Sequence, residues 1–245
     1  WTGRLIAERN PSAISKIVPI ARGTDFADFD PGSIDPERVS ALREKWRLDD
    51  RAPVVVNLAR LTHWKGQPVL IDAAADALRR GLDCTFILAG DEQGRTAYRD
   101  GLVSQIRSLG VEDKGRLVGQ CDDPAAAMKL AELAVVASTE AEAFGRAAVE
   151  ACALETPVIV TQIGAVEETV LCPPDVAEAD RTGWKVPPGD SKALSDALVG
   201  AMGLTPKQRQ LIGQSGRRHV TSAFSLQQMT DKTLDVYRSL LNGDQ

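Results

Sequence analysis

Short apolar runs alternate with longer amphipathic segments along most of the chain, and that alternation predicts the fold. From about Ala52 onward, APVVVNLA (52–59), CTFILAG (84–90), RLVG (116–119), LAVVAS (133–138) and TPVIVT (156–161) are short, rich in branched residues and bounded by breakers. Such runs are expected of strands buried on both faces of a parallel sheet. Between them, 67–80 places Val69, Leu70, Ala73, Ala74, Ala77 and Leu78 on one helical face, and 98–109 does the same through Leu102, Ile106 and Leu109. Further helices are expected at 124–131, 146–154, 166–171, 191–202, 206–220 and 225–241. The sum is an α/β fold, a doubly wound parallel sheet with helices on both faces. Ligands of such sheets sit at the carboxyl ends of the strands, so chemistry is sought in the loops that begin at Arg60, Asp91, Gln120, Thr139 and Gln162. The first fifty residues differ: a short helix-like stretch, an extended IVPIARGTDF and a turn-rich FDPGSIDPE predict a connector or the tail of a preceding domain.

Composition narrows the function classes. A 245-residue chain of 43% hydrophobic and 26% charged residues can bury a substantial core, and its net charge of −5, without any basic run interleaved with aromatics, argues against a nucleic-acid surface. Cys84, Cys121, Cys152 and Cys172 are irregularly spaced, form no CxxC pair and have only two histidines to join them, so reduced thiols in a cytoplasmic protein are expected rather than a metal site. No apolar run reaches the roughly 18 residues of a membrane span. The chain opens on Trp1, and the expectation is a fragment of a longer protein.

The loop after the first strand reads ARLTHWKG. Arg60 and Lys65, with Gly66 and Pro68 opening a helix, would make a phosphate clamp; two solvated side chains are the alternative. The stretch TEAEAFGRAAVEA (139–151) follows the fourth strand and leads into a helix, which leaves Glu142 in the loop and puts Glu150 inside the helix. Were both helical they would stand about 80° apart, so they converge only if Glu142 stands off the helix end. Free amides around Phe144, Gly145 and Arg146 would then face an anion, while the carboxylates accept from neutral hydroxyls such as those of ribose or hexose. An acid near a helix start and an exposed helical glutamate would explain the same letters.

The order of these pieces resembles the carboxy-terminal, donor-binding lobe of a GT-B fold glycosyltransferase, in the retaining enzymes grouped as glycosyltransferase family 4. ARLTHWKG, EAFGRAAVE, TPVIVT, IGAVEE and GWKVPPGD follow the family's pattern in order, and IARGTDFADFDP is similar to its interlobe segment, usually NGVD followed by F and P. The resemblance spans nearly all of the chain. It implies a Rossmann-like, three-layer α/β/α lobe in which residues 1–24 end the acceptor lobe and connector, 25–224 bind the donor, and 225–245 form a helix crossing back to the other lobe. That helix carries Leu226, Met229, Thr233, Val236, Tyr237 and Leu240 in one apolar stripe.

Roles follow from the same resemblance. Arg60 and Lys65 would hold the donor diphosphate, Glu142 with the Phe144 and Gly145 amides and Arg146 would address the sugar and distal phosphate, and Glu150 would take the ribose hydroxyls. Catalysis would rest on Arg60, Lys65 and Glu142. Gly90, Val118 and Gly119 are candidates for the rest of the donor pocket, and Glu168 fits the glutamate of the family's glycine loop or a first-turn helix acid. The implied donor is a nucleotide diphosphate sugar, with UDP the first expectation and GDP or ADP alternatives; no cofactor and no metal are expected. The acceptor would be a glycan or a lipid-linked glycan of the bacterial envelope, such as lipopolysaccharide, held mainly by the amino-terminal lobe, and the full-length protein would be cytoplasmic, at the inner face of the membrane or free. A nucleotide-sugar epimerase, a sugar phosphorylase and a non-catalytic α/β module are the alternatives.

The chain departs from the pattern at Ala59, Ala165 and Glu155, where the family often has glycine. Ala165 would crowd the donor, and Glu155 occupies a helix-ending position that glycine fits most easily. Asp28-Phe29-Asp30 is a literal DxD, but it overlaps the connector and ends no buried strand, so a metal role is not expected of it. His63 is expected to be solvated or capping. Trp1, Trp46 and Trp184 are expected to pack, with Trp64 set apart as the neighbour of Lys65. No GxGxxG follows the first strand, which argues against the ordinary dinucleotide-dehydrogenase reading, and no GxxxxGK[ST] loop of a P-loop NTPase occurs.

Overall fold

A computed structural model describes residues 1–49 and 52–242. The last three residues of the expected 225–245 segment, and residue 50 of the expected connector, lie outside them. Six strands, β1 (Val54–Leu58), β2 (Thr85–Ala89), β3 (Gly115–Gly119), β4 (Leu133–Val136), β5 (Val158–Thr161) and β6 (Gly183–Val186), form one sheet in the order β3-β2-β1-β4-β5-β6. Every pairing is parallel, so each connection crosses a face of the sheet. The helices are α1 (Thr2–Arg9), α2 (Pro36–Lys45), α3 (Gln67–Arg79), α4 (Thr96–Ser108), α5 (Pro124–Leu130), α6 (Arg146–Ala153), α7 (Val166–Thr169), α8 (Ser191–Met202), α9 (Pro206–Ala223) and α10 (Leu226–Asn242).

Alternation along each strand divides the core in two. Val55, Phe86, Leu88, Leu133 and Val135 face the layer built by α3, α4 and α8, where Leu70, Leu102 and Leu198 meet them. Val54, Val56, Ile87, Ala134 and Val160 face α2, α5, α6 and α9, through Leu42, Met128, Val149 and Val220. Strands buried on both faces lose the period-two signature and read as continuous apolar runs. The strand order reverses direction between β1 and β4, which places the crevice for a ligand at their carboxyl ends.

The structure corrects the expectation of a connector over the first fifty residues. Within them, α2 starts behind Asp35, whose carboxylate caps it by accepting from the Glu37 amide at 2.8 Å, with Pro36 in the first turn. Ile34, Leu42, Trp46 and Leu48 join the core from this stretch. The cap was readable, but only Leu42 of the helix is buried, so periodicity gave no signal. The run GWKV, expected only as part of a turn motif, is strand β6, an edge strand in which Trp184 is partly buried and the Lys185 ammonium pairs with Asp175 at 2.9 Å. The other differences are at ends: β4 stops at Val136, β5 begins at Val158, α4 begins at Thr96, α7 is a single turn and α9 runs on to Ala223.

At the end of α6, Glu155 does take the left-handed conformation, with φ of 60°. Its carbonyl lies so close to Gly213 of α9 that a Cβ there would sit 1.9 Å from it. A non-glycine residue in this region costs roughly 1–2 kcal/mol, and glycine loses roughly 0.5–1 kcal/mol in chain entropy. Glu155→Gly is therefore expected to stabilise the fold by about 0.5–1 kcal/mol in urea unfolding, and Gly213→Ala to destabilise it by more than that.

Candidate donor site at the β1–β4 crevice

The loop after β1 is fixed from below. Gln67, fully buried at the start of α3, donates to the Arg60 carbonyl at 2.9 Å. The Tyr98 hydroxyl lies 3.0 Å from the Gln67 side-chain oxygen and 3.2 Å from the Thr62 carbonyl, and burial pushes this phenol up to about 12. The Trp64 carbonyl accepts from the Thr139 amide at 2.8 Å, stitching the loop to the one after β4. Gly66 makes that stitch possible: its φ is 68°, and a Cβ there would fall 1.9 Å from the Ala137 carbonyl oxygen. Gly164 plays the same part beyond β5. With φ of 79°, its missing Cβ would fall 2.6 Å from the Glu142 carbonyl, and the Ala165 amide donates to that carbonyl at 2.8 Å.

Across this stitched crevice Lys65 and Glu142 meet, ammonium to carboxylate, at 2.8 Å, with side chains only 15% and 10% exposed. The Ser138 hydroxyl donates to the same Glu142 oxygen, and the Ser138 carbonyl accepts from Thr161 at 2.6 Å. Lys65 also lies 4.3 Å from the Trp64 ring centroid, a cation–π contact that sets Trp64 apart as expected. Arg60 stands exposed beside the crevice and forms no ion pair among the described residues. Two cations thus reach the ligand-binding end of β1, one paired and one free.

Glu142 stands in the loop, off the helix end, and Glu150 lies inside α6. No side chain caps α6, and the Phe144, Gly145 and Arg146 amides donate no hydrogen bond within the described residues. Gly145 (φ 78°) turns the chain into the helix, packed on Val166. The Phe144 ring meets Phe224 edge to face at 5.5 Å, which holds this turn against the end of α9. Glu150 is 13% exposed and pairs with Arg146 at 3.2 Å. Burial raises its pKa; the charges of Arg146 and then Arg22 oppose that rise. Gly90 and Gly119 adjoin: the Gly90 amide donates to the Gly119 carbonyl at 2.7 Å, and a Cβ on Gly90 would meet the Ala59 carbonyl at 1.8 Å, whereas one on Gly119 would meet nothing. Val118 is half-buried beside it.

Other candidates fall elsewhere. Glu168 lies 3.8 Å from Arg4, and its carbonyl contacts the His219 ring. His63 is exposed and 3.6 Å from Glu140. Asp30 of the DxD is bound by Arg217 of α9 at 2.9 Å, a contact that ties the connector to the sheet domain. Ser138 and Thr161 were missed by sequence reasoning, although a polar residue closing the apolar run LAVVAS at a carboxyl end was the available signal.

These features, an open 321456 sheet with an acid–base pair and an uncapped helix at its reversal point, describe a Rossmann-like α/β domain. The chain belongs to the glycosyl transferases group 1 family, whose model matches residues 39–219. It is 30% identical over 237 residues to a D-inositol 3-phosphate glycosyltransferase of Kineococcus radiotolerans, covering 91% of this chain and 52% of that protein. Among solved structures, a glycosyltransferase of Rickettsia africae superposes with a TM-score of 0.86 at 29% identity, over 93% of this chain and 58% of that one. Anabaena HepE, solved with UDP and glucose, gives 0.80 at 26%, over 92% and 58%. The chain spans about half the length of the curated relatives it matches.

The Lys65–Glu142 pair is nearly buried, so breaking it from one side strands a charge. Glu142→Gln and Lys65→Met are each expected to cost about 2–3 kcal/mol of stability, and the double variant less than their sum, with a coupling of about 1–2 kcal/mol in a double-mutant cycle read by urea unfolding. Because Glu150 holds its proton more firmly folded than unfolded, the stability it lends is full below its ordinary value of 4.5 and is lost as pH rises through its higher folded value. Glu150→Gln keeps that stability, so it should melt above the parent at neutral pH and match it as pH falls below 4.5.

Proposed function

We propose that this chain is the carboxy-terminal, donor-binding lobe of a retaining family 4 glycosyltransferase, which moves a hexose from a nucleotide diphosphate sugar to an acceptor hydroxyl. The observation that carries the reading is the Lys65–Glu142 pair at the crevice, with Arg60 unpaired beside it and free amides opening α6. As the glycosidic bond to the leaving diphosphate breaks, negative charge gathers on phosphate oxygens and the anomeric carbon becomes cationic. Arg60, Lys65 and the Phe144–Gly145 amides would face that charge, each well-placed donor being worth roughly 3–4 kcal/mol in the transition state. Glu142, relieved of Lys65 by the incoming phosphate, would accept from sugar hydroxyls, and Glu150 from the ribose, near Gly90, Val118 and Gly119. Transfer with retention follows if the acceptor attacks the face the diphosphate leaves, with the leaving phosphate taking the acceptor's proton. No protein nucleophile is needed in this lobe.

UDP is the first nucleotide to test, supported by the UDP bound in HepE; GDP and ADP are the others. An envelope glycan or lipid-linked acceptor, lipopolysaccharide included, would be held by the other half of the length seen in the relatives, at the cytoplasmic face of the membrane. No described helix is long and apolar enough to cross a membrane. Calorimetric titration with UDP, GDP and ADP, with and without magnesium, should give saturable metal-independent binding of one of them, weakened at least about ten-fold by Lys65→Ala. The 245-residue chain alone should transfer sugar poorly or not at all, and efficient transfer by it would sink the assignment of the acceptor site to another lobe.

A further inference from the structure

Just beyond β4 the chain buries a polar residue completely. Ser138 is shut off from water, and a buried hydroxyl must find a partner inside the protein. It donates to Oε1 of Glu142, while its own carbonyl accepts from the hydroxyl of Thr161, the last residue of β5, at 2.6 Å. Glu142 is tied to the same side, because its carbonyl accepts from the Ala165 amide at 2.8 Å. Both ends of the Ser138–Glu142 bond are therefore held by β5 and the loop that leaves it. Lys65 reaches the same Oε1 at 2.8 Å, but from the loop after β1 and at the end of a long flexible stem. The other carboxylate oxygen, Oε2, accepts no hydrogen bond among the described residues and is not closed off from solvent.

We infer that Ser138 is a positioning residue for donor binding: when an anion draws Lys65 away, the Ser138 hydroxyl stays on Oε1 and leaves Oε2 to a hydroxyl of the ligand. The inference rests on the roles proposed for Lys65 and Glu142 in the crevice. Stripping the counter-charge from a carboxylate this little exposed leaves an uncompensated charge, so a donor that stays behind lowers the cost of moving the lysine. No second cation pairs with Glu142 among the described residues. Arg146, the next cation along the chain, is engaged by Glu150 at 3.2 Å, and His63 faces Glu140 at 3.6 Å. A hydrogen bond to an ionised oxygen is roughly twice as strong as one between neutral groups, which suits a single hydroxyl to the task. Each carboxylate oxygen carries its own lone pairs, so Ser138 on Oε1 does not compete with a sugar hydroxyl on Oε2. The bond from Thr161 keeps the Ser138 backbone where it is while the loop after β1 rearranges.

The test is a pair of mutant cycles on the whole chain. In urea unfolding without ligand, Lys65→Met imitates the departed lysine. In that background Ser138→Ala should lower the folding constant about ten-fold more than it does in the parent. Calorimetry with UDP, GDP and ADP then follows whichever binds the parent. Ser138→Ala should weaken that binding about three- to ten-fold, but change it by less than about two-fold in the Glu142→Gln background. An equal loss of stability in the parent and in Lys65→Met overturns the inference and leaves Ser138 as a packed strand end. An equal loss of affinity with and without the Glu142 carboxylate also overturns it. If the chain carrying both Lys65→Met and Ser138→Ala does not fold, the affinity cycle, whose variants all keep Lys65, decides. Binding of none of the three nucleotides by the parent overturns the donor reading itself, which a failed stability cycle does not.

Discussion

Lys65 and Glu142 meet where the order of the sheet reverses, and the rest of the crevice is arranged around holding them there. A nearly dry ion pair repays its desolvation only with close geometry and further hydrogen bonds. Here the geometry comes from backbone, through the Trp64–Thr139 and Glu142–Ala165 bonds, and the further donor is Ser138. The pair binds three loops into one unit before any ligand arrives. In the proposed reading it also leaves a lysine for an anion to recruit and a carboxylate for a sugar once the lysine turns away.

Beside this unit the α6 turn is held by a different kind of force. Phe144 rests edge-on against Phe224, and the same junction carries the connector bridge. The polar half of the site is thus anchored to the sheet, and the half containing Glu150 is anchored to the point where the connector bridges the α9–α10 junction. α10 continues from that point with no buried residue, its Leu234, Tyr237 and Leu240 exposed among the described residues.

Much of this was legible in the sequence where burial alone decides the pattern. β1, β2, β4 and β5 are mostly apolar, almost wholly buried runs and were found with small errors at their ends. β6 was not, because GWKV, four residues that include a glycine and a lysine, makes no such run, and α2 was not, because Leu42 alone gives no period. In the site, Lys65 and Glu142 could each be named from their loops, but their partnership could not. It depends on β1 and β4 being neighbours, a fact of topology with no local signal. The Arg146–Glu150 pair, one helical turn apart, is of the local kind that spacing does reveal.

The glycines of the crevice divide into two kinds. At Gly66, Gly90 and Gly164 a single added carbon would strike a carbonyl of the neighbouring loop, whereas at Gly119 it would project into open space. At Gly119 the limit is the backbone itself, because its φ of 74° strains any residue that carries a side chain. Beside the lysine–glutamate pair glycine is held by want of space and at the rim beyond β3 by conformation, so neither edge of the crevice takes a substitution without strain.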